Sequence, residues 1–413
     1  MTSSSSRNAR RPVIAIVGGG IGGLATALAL RQRGFEVTVF ERSEALGEIG
    51  AGIAIAPNAV KVLRALGREP RLIQQGFEPE AYTGWDWKSG KSLFSTPRKG
   101  LHQKLYGAGY YHIHRADLHA LLAEAIPSSV VRLGMECTGV EDGPSAAIAS
   151  FADGTRFEAD AIIGADGIRS IVRRSLFGED RPRFTGIVCW RGMVPTGDLP
   201  PGHVPPTGSN WHGPHGHVTH YYVRRGTLVN FVAVREQSSW TDESWTAKST
   251  REDLLAAFEG WHPRLRLLLS RSLHYYKWGL FDREPLAEWG RGRITLLGDA
   301  AHPMLPFLGQ GAAQAMEDAY ALARLLEGQD SARLPDALRA YESARKPRAT
   351  RVQLGSRARA GEVHLASAWK RVLRDMRYRI QGWLQPRRPA NRAEWILGYD
   401  ITTADLGGPV SRV

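Results

Sequence analysis

The sequence predicts an α/β fold in which a β-α-β core is interrupted by an inserted antiparallel β-sheet and followed by a helical C-terminal segment. Three observations predict it. An apolar run, Val13 to Val17, stops on glycines and gives way to helical spacing. Two further apolar runs end in a Gly-Asp or Asp-Gly corner, at Ala161 to Gly167 and at Ile294 to Asp299. Between those corners the chain turns rich in Trp, Tyr, His, Gly and Pro. Short apolar runs without polar alternation suit strands buried on both faces, and such strands alternating with helices make a Rossmann-like layer.

In chain order, Val13 to Val17 is the first strand. Leu24, Ala27 and Leu28 then recur at helical spacing, with Gly34 as the cap beyond, and Val37 to Phe40 is a second strand ending in Glu41. This core is divided into 12–77, 108–184 and 277–348. Residues 185–276 form the inserted sheet, and the excursion 78–107 adds strands to it. Val218 to Val223 and Leu228 to Val234 alternate around Arg225-Gly226, the pattern of a hairpin. Residues 349–413 read as helical and basic, with Pro347, Pro386 and Pro389 as breakers.

Composition limits what the chain can be. Its 413 residues are 43% hydrophobic, enough for a sizeable core of two or three units. Lys+Arg exceed Asp+Glu by 54 − 41, or +13, and thirteen of those cations fall between Arg345 and Arg388 with only two acids among them. That run reads as a solvated helix surface, and a nucleic-acid-binding role is disfavoured because aromatic-plus-basic single-strand motifs are lacking. Two cysteines, Cys137 and Cys189, exclude a disulfide scaffold and a four-cysteine zinc site, and no metal is expected. No apolar run reaches the roughly 20 residues of a transmembrane helix, and the Ser- and Arg-rich start lacks a signal peptide's apolar stretch. A soluble cytoplasmic protein, monomer or homodimer, is the expectation.

Gly18-Gly19-Gly20-Ile21-Gly22-Gly23 carries Gly-x-Gly-x-x-Gly at positions 18, 20 and 23, after a strand and opening a helix. Such a turn brings backbone N–H groups against a pyrophosphate at the positive end of a helix. Glu41, at the end of the second strand, can accept hydrogen bonds from ribose hydroxyls. A dinucleotide site follows.

Gly164-Ala165-Asp166-Gly167-Ile168-Arg169-Ser170 and Gly298-Asp299-Ala300-Ala301-His302-Pro303, with the opening glycines, resemble the three fingerprints of the FAD-dependent aromatic hydroxylases. These are the class A flavoprotein monooxygenases of the para-hydroxybenzoate hydroxylase fold, and the chain is most similar to the salicylate and 3-hydroxybenzoate hydroxylases among them. Gly50 to Ile53, Pro57-Asn58-Ala59, His114 to Leu118 and Gly309 to Ala313 fit the same pattern. The resemblance implies an FAD-binding domain. Glu41 would bind the adenosine ribose, Arg115 the phosphate or ribitol region, and Asp299 the ribitol. Asp166 and Gly167 would bridge FAD and a transient NADH or NADPH, while Gly311 and Ala312 would offer N–H groups to the flavin pyrimidine. Arg42, Gly22, Gly23 and Gly52 are placed at the cofactor with them, and Pro306 would turn its carbonyl to the flavin. The helical periodicity of Ala312 to Leu326 supports this independently, because its positive end would face the reduced ring system.

The activity implied is hydroxylation of a phenolic or hydroxy-aromatic acid by NAD(P)H and O2 through a flavin C4a-hydroperoxide. A deprotonated phenol is the better nucleophile, so a base near pH 7 is useful. His217 and Tyr221 are the candidates, matching the family's His and Tyr four residues apart, with His220 and Tyr222 beside them. On an ideal strand His217 and Tyr221 share a face about 13 Å apart and would bracket a ring. His302 is read as support for the cofactor loop, Arg191 as an exposed or salt-bridged arginine with carboxylate binding as the alternative, and Trp85 and Trp87 as sheet packing. Leu305-Pro306-Phe307 is apolar where some relatives carry a polar residue. Epoxidation of a larger apolar substrate on the same scaffold is the alternative. It would show a pocket without a phenol-facing base.

Overall fold

The computed structural model describes residues 11–47, 51–238, 240, 248–365, 367–384 and 393–407; Gly50, Pro386 and Pro389 lie outside them. A six-stranded sheet runs in the order Gly290–Arg291, Ile294–Leu296, Ala161–Gly164, Val13–Val17, Glu36–Phe40, Val131–Arg132. All its pairs are parallel except the hairpin at the Gly290 edge. Ile14, Ala15, Ile16, Ile162 and Ile163 are fully buried, because helices Ile21–Arg31 and Gly311–Leu326 and their neighbours cover the sheet.

The second sheet has seven strands: Tyr276–Asp282, Arg183–Pro195, Leu228–Glu236, Gly216–Val223, Gly208–Gly213, Ala81–Asp86 and Ser92–Pro97. The excursion does add strands to it. The sheet is not purely antiparallel, however: Gly208–Gly213 pairs parallel with Ala81–Asp86, since the two segments arrive from separate crossings out of the core. Its last strand runs to Asp282, beyond residue 276. The hairpin forms as the alternation requires, and Arg224, Arg225 and Gly226 all take positive φ in its turn.

Strand alternation divides this sheet into two faces. Outward lie Val188, Trp190, Trp211, Val218 and Phe231, packed under helices Arg251–Ala257 and Pro263–Ser270. Trp85 stacks on Trp211 and Trp87 meets Trp261 edge-on, so both are packing. His220 and Tyr222 also fall on this side: His220 accepts from the Trp211 indole at 3.0 Å, and the Tyr222 hydroxyl donates to the Val204 carbonyl at 2.8 Å. Neither reaches the inner face.

The basic segment is a solvated surface only in part: Arg351, Lys370, Arg377 and Arg379 are exposed, whereas Arg345 and Arg374 are buried. Helix Leu334–Val363 runs through Pro347, which does not break it. Arg345 and Arg348, on either side of the proline, are tied to Glu317 on the neighbouring helix, and this anchoring outweighs the lost backbone hydrogen bond. Arg357 pairs with Asp282 and Glu284. On helix Ala368–Leu384 the buried Tyr378 packs on Phe94.

Candidate active site

The two sheets enclose one large cavity of about 1680 Å³, well beyond the roughly 300–1,000 Å³ of a pocket for one small ligand. Its wall is backbone-rich on one side and side-chain-rich on the other.

The first side is where the parallel strands end. Gly18 takes φ +107°, and a Cβ there would sit 2.4 Å from the Ala165 carbonyl oxygen, so only glycine fits between the two strand ends. At Gly20 nothing among the described residues lies within 4 Å of the Cβ position, and the residue opens onto the cavity. Gly23 does not line the cavity. A Cβ there would meet the Gly18 carbonyl oxygen at 1.9 Å, so its part is close packing of helix on turn. Glu41 accepts from the Gly19 N–H at 2.7 Å and the Ser43 N–H at 3.0 Å, which fixes its carboxylate at the strand end beside Arg42. Asp166 accepts from the Ser170 hydroxyl at 2.6 Å and the Ile171 N–H at 2.7 Å; it holds the start of helix Ile171–Phe177 while lining the cavity with Gly167. Burial pushes its carboxyl up, against those hydrogen bonds.

Asp299 stands on the tight turn Gly298–Ala300. Its side chain meets solvent through the cavity, yet protein encloses it closely, and that enclosure pushes its carboxyl up against the pull of His302 and Arg115. Gly22, Arg115, Pro306, Gly311 and Ala312 line the same space. The Pro306 carbonyl accepts from the Gly309 N–H at 3.1 Å, closing the short turn before helix Gly311–Leu326. Gly311 and Ala312, in the first turn of that helix, line the cavity at the end where a helix leaves N–H groups without intrahelical partners.

A buried ionic cluster holds this helix. The Arg345 guanidinium donates to Asp318 at 2.7 Å and Glu317 at 2.8 Å, and Asn58 donates to Glu317 at 2.7 Å and Gln310 at 3.0 Å. Asp318 also accepts from the Gly298 N–H and lies 2.6 Å from His302 Nε2. His302 thus braces the Asp299 turn. Burial alone would raise the Asp318 carboxyl, but His302 and Arg345 outweigh it and hold it at about 2.

The second side is the inner face of the seven-stranded sheet. His217, Thr219 and Tyr221 project into the cavity from one strand. Thr219 sits in a lateral row with Val232 and Arg191 on one flank and Asn210 on the other. Arg191 is half-buried; its guanidinium stacks on the Trp278 ring at 3.7 Å and lines the cavity. Tyr221 stacks on His112 with ring centroids 4.1 Å apart. Asn230 accepts from the Gly52 N–H at 2.8 Å, joining the two halves. Asn210 and His112 line the cavity, and Asn210 Oδ1 and His112 Nδ1 are buried with no hydrogen-bond partner among the described residues, so this wall holds polar atoms able to meet a polar ligand.

The expected base is tuned differently from expectation. Burial, with His364, His212 and Arg359 nearby, holds the His217 imidazole well below its ordinary value, so it is neutral at pH 7. Burial pushes the Tyr221 phenol far up, so it stays a neutral hydroxyl. His364, which sequence reasoning passed over, lies 2.8 Å from His217 across 147 residues of chain. No local signal marks it.

The FAD binding domain family matches residues 10–355. The chain is 43% identical over 365 residues to the 3-amino-4-hydroxybenzoate 2-monooxygenase PtnB3 of Streptomyces platensis, covering 88% of this chain and 92% of that one. It is 36% identical over 400 residues to the 6-hydroxynicotinate 3-monooxygenase of Pseudomonas fluorescens, covering 96% and 97%. Among solved structures, Klebsiella pneumoniae HpxO complexed with FAD and uric acid aligns with a TM-score of 0.84 at 26% identity over 96% of this chain and 98% of that one. A salicylate hydroxylase substrate complex aligns at 0.79 and 28% over 95% and 96%. The chain belongs to the class A FAD-dependent aromatic hydroxylases. It is a monooxygenase that uses FAD, with NAD(P)H as co-substrate. Among the described residues no helix is long and apolar enough to cross a membrane, and no group of His, Cys, Asp and Glu is placed to hold a metal ion.

Proposed function

We propose that the chain hydroxylates an amino- or hydroxy-substituted benzoate or a heteroaromatic relative, with the phenol at His217 and Tyr221 and the carboxylate at Arg191. The observation that carries this is the inner face of the sheet. One strand presents His217, Thr219 and Tyr221 to the cavity, with Arg191 in the Thr219 row and buried polar atoms beside them. The relatives' own substrates, 3-amino-4-hydroxybenzoate and 6-hydroxynicotinate, combine an acid with a ring hydroxyl. A wall so polar speaks against an apolar epoxidation substrate.

The cofactor side fits FAD. The opening at Gly20 and the N–H groups of the glycine turn would take the pyrophosphate, Glu41 the ribose, Asp299 and Arg115 the ribitol stretch, and the Gly311 end of the helix the pyrimidine edge. When bound, FAD supplies the redox chemistry, taking reducing equivalents from NAD(P)H and activating O2. The protein's own part is to hold and ionise the ring. Neutral His217 offers Nε2 to the phenol proton, because Nδ1 is engaged by His364. Tyr221, kept protonated, orients the same oxygen by hydrogen bonding. Arg191, backed by Trp278, holds the acid at a fixed distance from the base. The cytoplasm, where reduced nicotinamide is at hand, suits this reaction.

The test is a panel of 3-amino-4-hydroxybenzoate, 3-hydroxybenzoate, salicylate and 6-hydroxynicotinate, each beside its decarboxy analogue, with hydroxylated product measured by mass. The acids are turned over and the analogues poorly. Arg191→Met raises KM for the acid by about tenfold to a hundredfold while leaving that of the analogue within about threefold. Equal losses on both would remove Arg191 from the role.

A further inference from the structure

We propose that His364 and Glu236 form, with His217, a proton wire that carries the proton of a bound phenol from the cavity to a separate pocket on the protein surface. The proposal rests on the reading of His217 as the group that meets the phenol.

The geometry is a chain of three groups. His217 is 5% exposed and lines the cavity; its Nδ1 lies 2.8 Å from His364 Nε2. The rings are 5.0 Å apart and tilted by 31°, and Phe307 packs edge-on against both, at 5.5 and 5.7 Å. On the far side, His364 Nδ1 lies 3.8 Å from Glu236 Oε1, a gap that a small rotation of the half-exposed carboxylate or one water closes. Glu236 in turn lies 2.7 Å from Nδ1 of the exposed His215. A second pocket of about 400 Å³, lined by Gly186, Glu236, Gln237, Ala360, Gly361 and His364, lies at this end. The histidine pair therefore stands as a partition between two spaces.

A wire explains how such histidines can serve a base's purpose. Both rings resist charge. Burial, together with His364, His212 and Arg359, disfavours an imidazolium at His217; burial brings His364 to about 4, with Arg235 and His215 adding to it and Glu236 opposing. A base that had to keep the proton would be weak here. A relay does not keep it. The substrate O–H bond breaks as His217 Nε2–H forms. His217 Nδ1–H breaks as His364 Nε2–H forms, and His364 Nδ1–H breaks as the proton passes to Glu236 or to solvent. Each ring begins and ends neutral, having exchanged one tautomer for the other, and one proton has left. When the product departs as a phenol it draws a proton back along the same path, which resets both tautomers.

His364 does not touch substrate; it acts through His217, so the test must read the proton itself. The FAD-loaded protein without NAD(P)H is mixed with 3-amino-4-hydroxybenzoate in weak buffer, and proton release is followed with an indicator dye in stopped flow. His364→Asn keeps a hydrogen bond to His217 but cannot relay. It should bind the probe within about threefold of the parent and release the proton at least about tenfold more slowly. Imidazole should restore the rate in His364→Ala, entering by the surface pocket. Should His364→Asn fail to hold flavin, His364→Gln carries the same expectation. Release at the parental rate in the variant, with His217→Ala abolishing it, would overturn the wire and leave the function standing. No release by the parent, together with unimpaired hydroxylation by His217→Ala, would overturn both.

Discussion

The two walls of the cavity are made of different material. The cofactor side is built from backbone: glycines, a helix terminus, and carboxylates pinned by main-chain N–H groups, as Glu41 is by Gly19 and Asp166 by Ile171. The sheet side is built from side chains that come together only through register and tertiary packing, Arg191 in the row of Thr219 with Val232 between them and His217 against His364. A backbone site tolerates change in its surroundings but not in its glycines. A side-chain site can be re-specified by single substitutions, which suits a family whose members act on different rings.

Acid should separate the two walls most strongly. Burial lowers the imidazoles of His102 and His220 to about 3 and His364 to about 4, and puts His112, His212 and His217 well below their ordinary value. All six lie in or against the seven-stranded sheet or the cavity wall beside it. Below about pH 6.5 the unfolded chain protonates each of them and the folded chain does not, so stability falls as pH drops from there toward 4. The slope is up to about 1.4 kcal/mol per pH unit for each group. Near-ultraviolet dichroism during acid titration should lose the tryptophan-rich sheet well before the Asp318 cluster, held at about 2, lets go. A flat stability profile between about pH 6.5 and 4.5 would contradict the buried neutral histidines.

The cofactor wall should break from behind. Arg345→Met leaves Glu317 and Asp318 buried without the cation they share. A loss of about 3–5 kcal/mol is expected by denaturant unfolding, with flavin released because the helix end and the Asp299 turn both rest on that cluster. The finer contrast lies within the glycine turn. Gly18→Ala forces a Cβ onto the Ala165 carbonyl and lowers the melting temperature of the flavin-free protein. Gly20→Ala meets nothing there, so it should leave that temperature unchanged and weaken FAD binding by about tenfold or more. Equal effects of the two, read by melting and by flavin titration, would blur the distinction between fold and ligand.

The same division explains what could be read from the sequence. The glycine motif, the Asp166 and Asp299 corners and the hairpin are local, each written within a few consecutive residues. Even spacing also puts His217, Thr219 and Tyr221 on one face, but alternation alone does not say which face turns inward. The preference for His217 and Tyr221 over His220 and Tyr222, which lie on the outer face, therefore comes from the family pattern and not from alternation. Arg191 offers a carboxylate contact in the sequence, but only strand register puts it in the Thr219 row; Asn210 and His364 join through register and a helix that returns late in the chain, which no spacing reveals. Pro347 misled in the opposite direction: a strong local signal for a break was overruled by buried ion pairs on either side of it.

The central claim, that one wall holds the flavin and the other ionises the ring, is tested most directly by His217→Ala with bound FAD. Product formed per NAD(P)H consumed is measured in air with 3-amino-4-hydroxybenzoate, alongside flavin affinity. The account predicts FAD binding within about twofold of the parent and continued oxidation of NAD(P)H, with product formation down by about a hundredfold or more and peroxide in its place. Hydroxylation at the parental rate, or loss of flavin along with product, would contradict it.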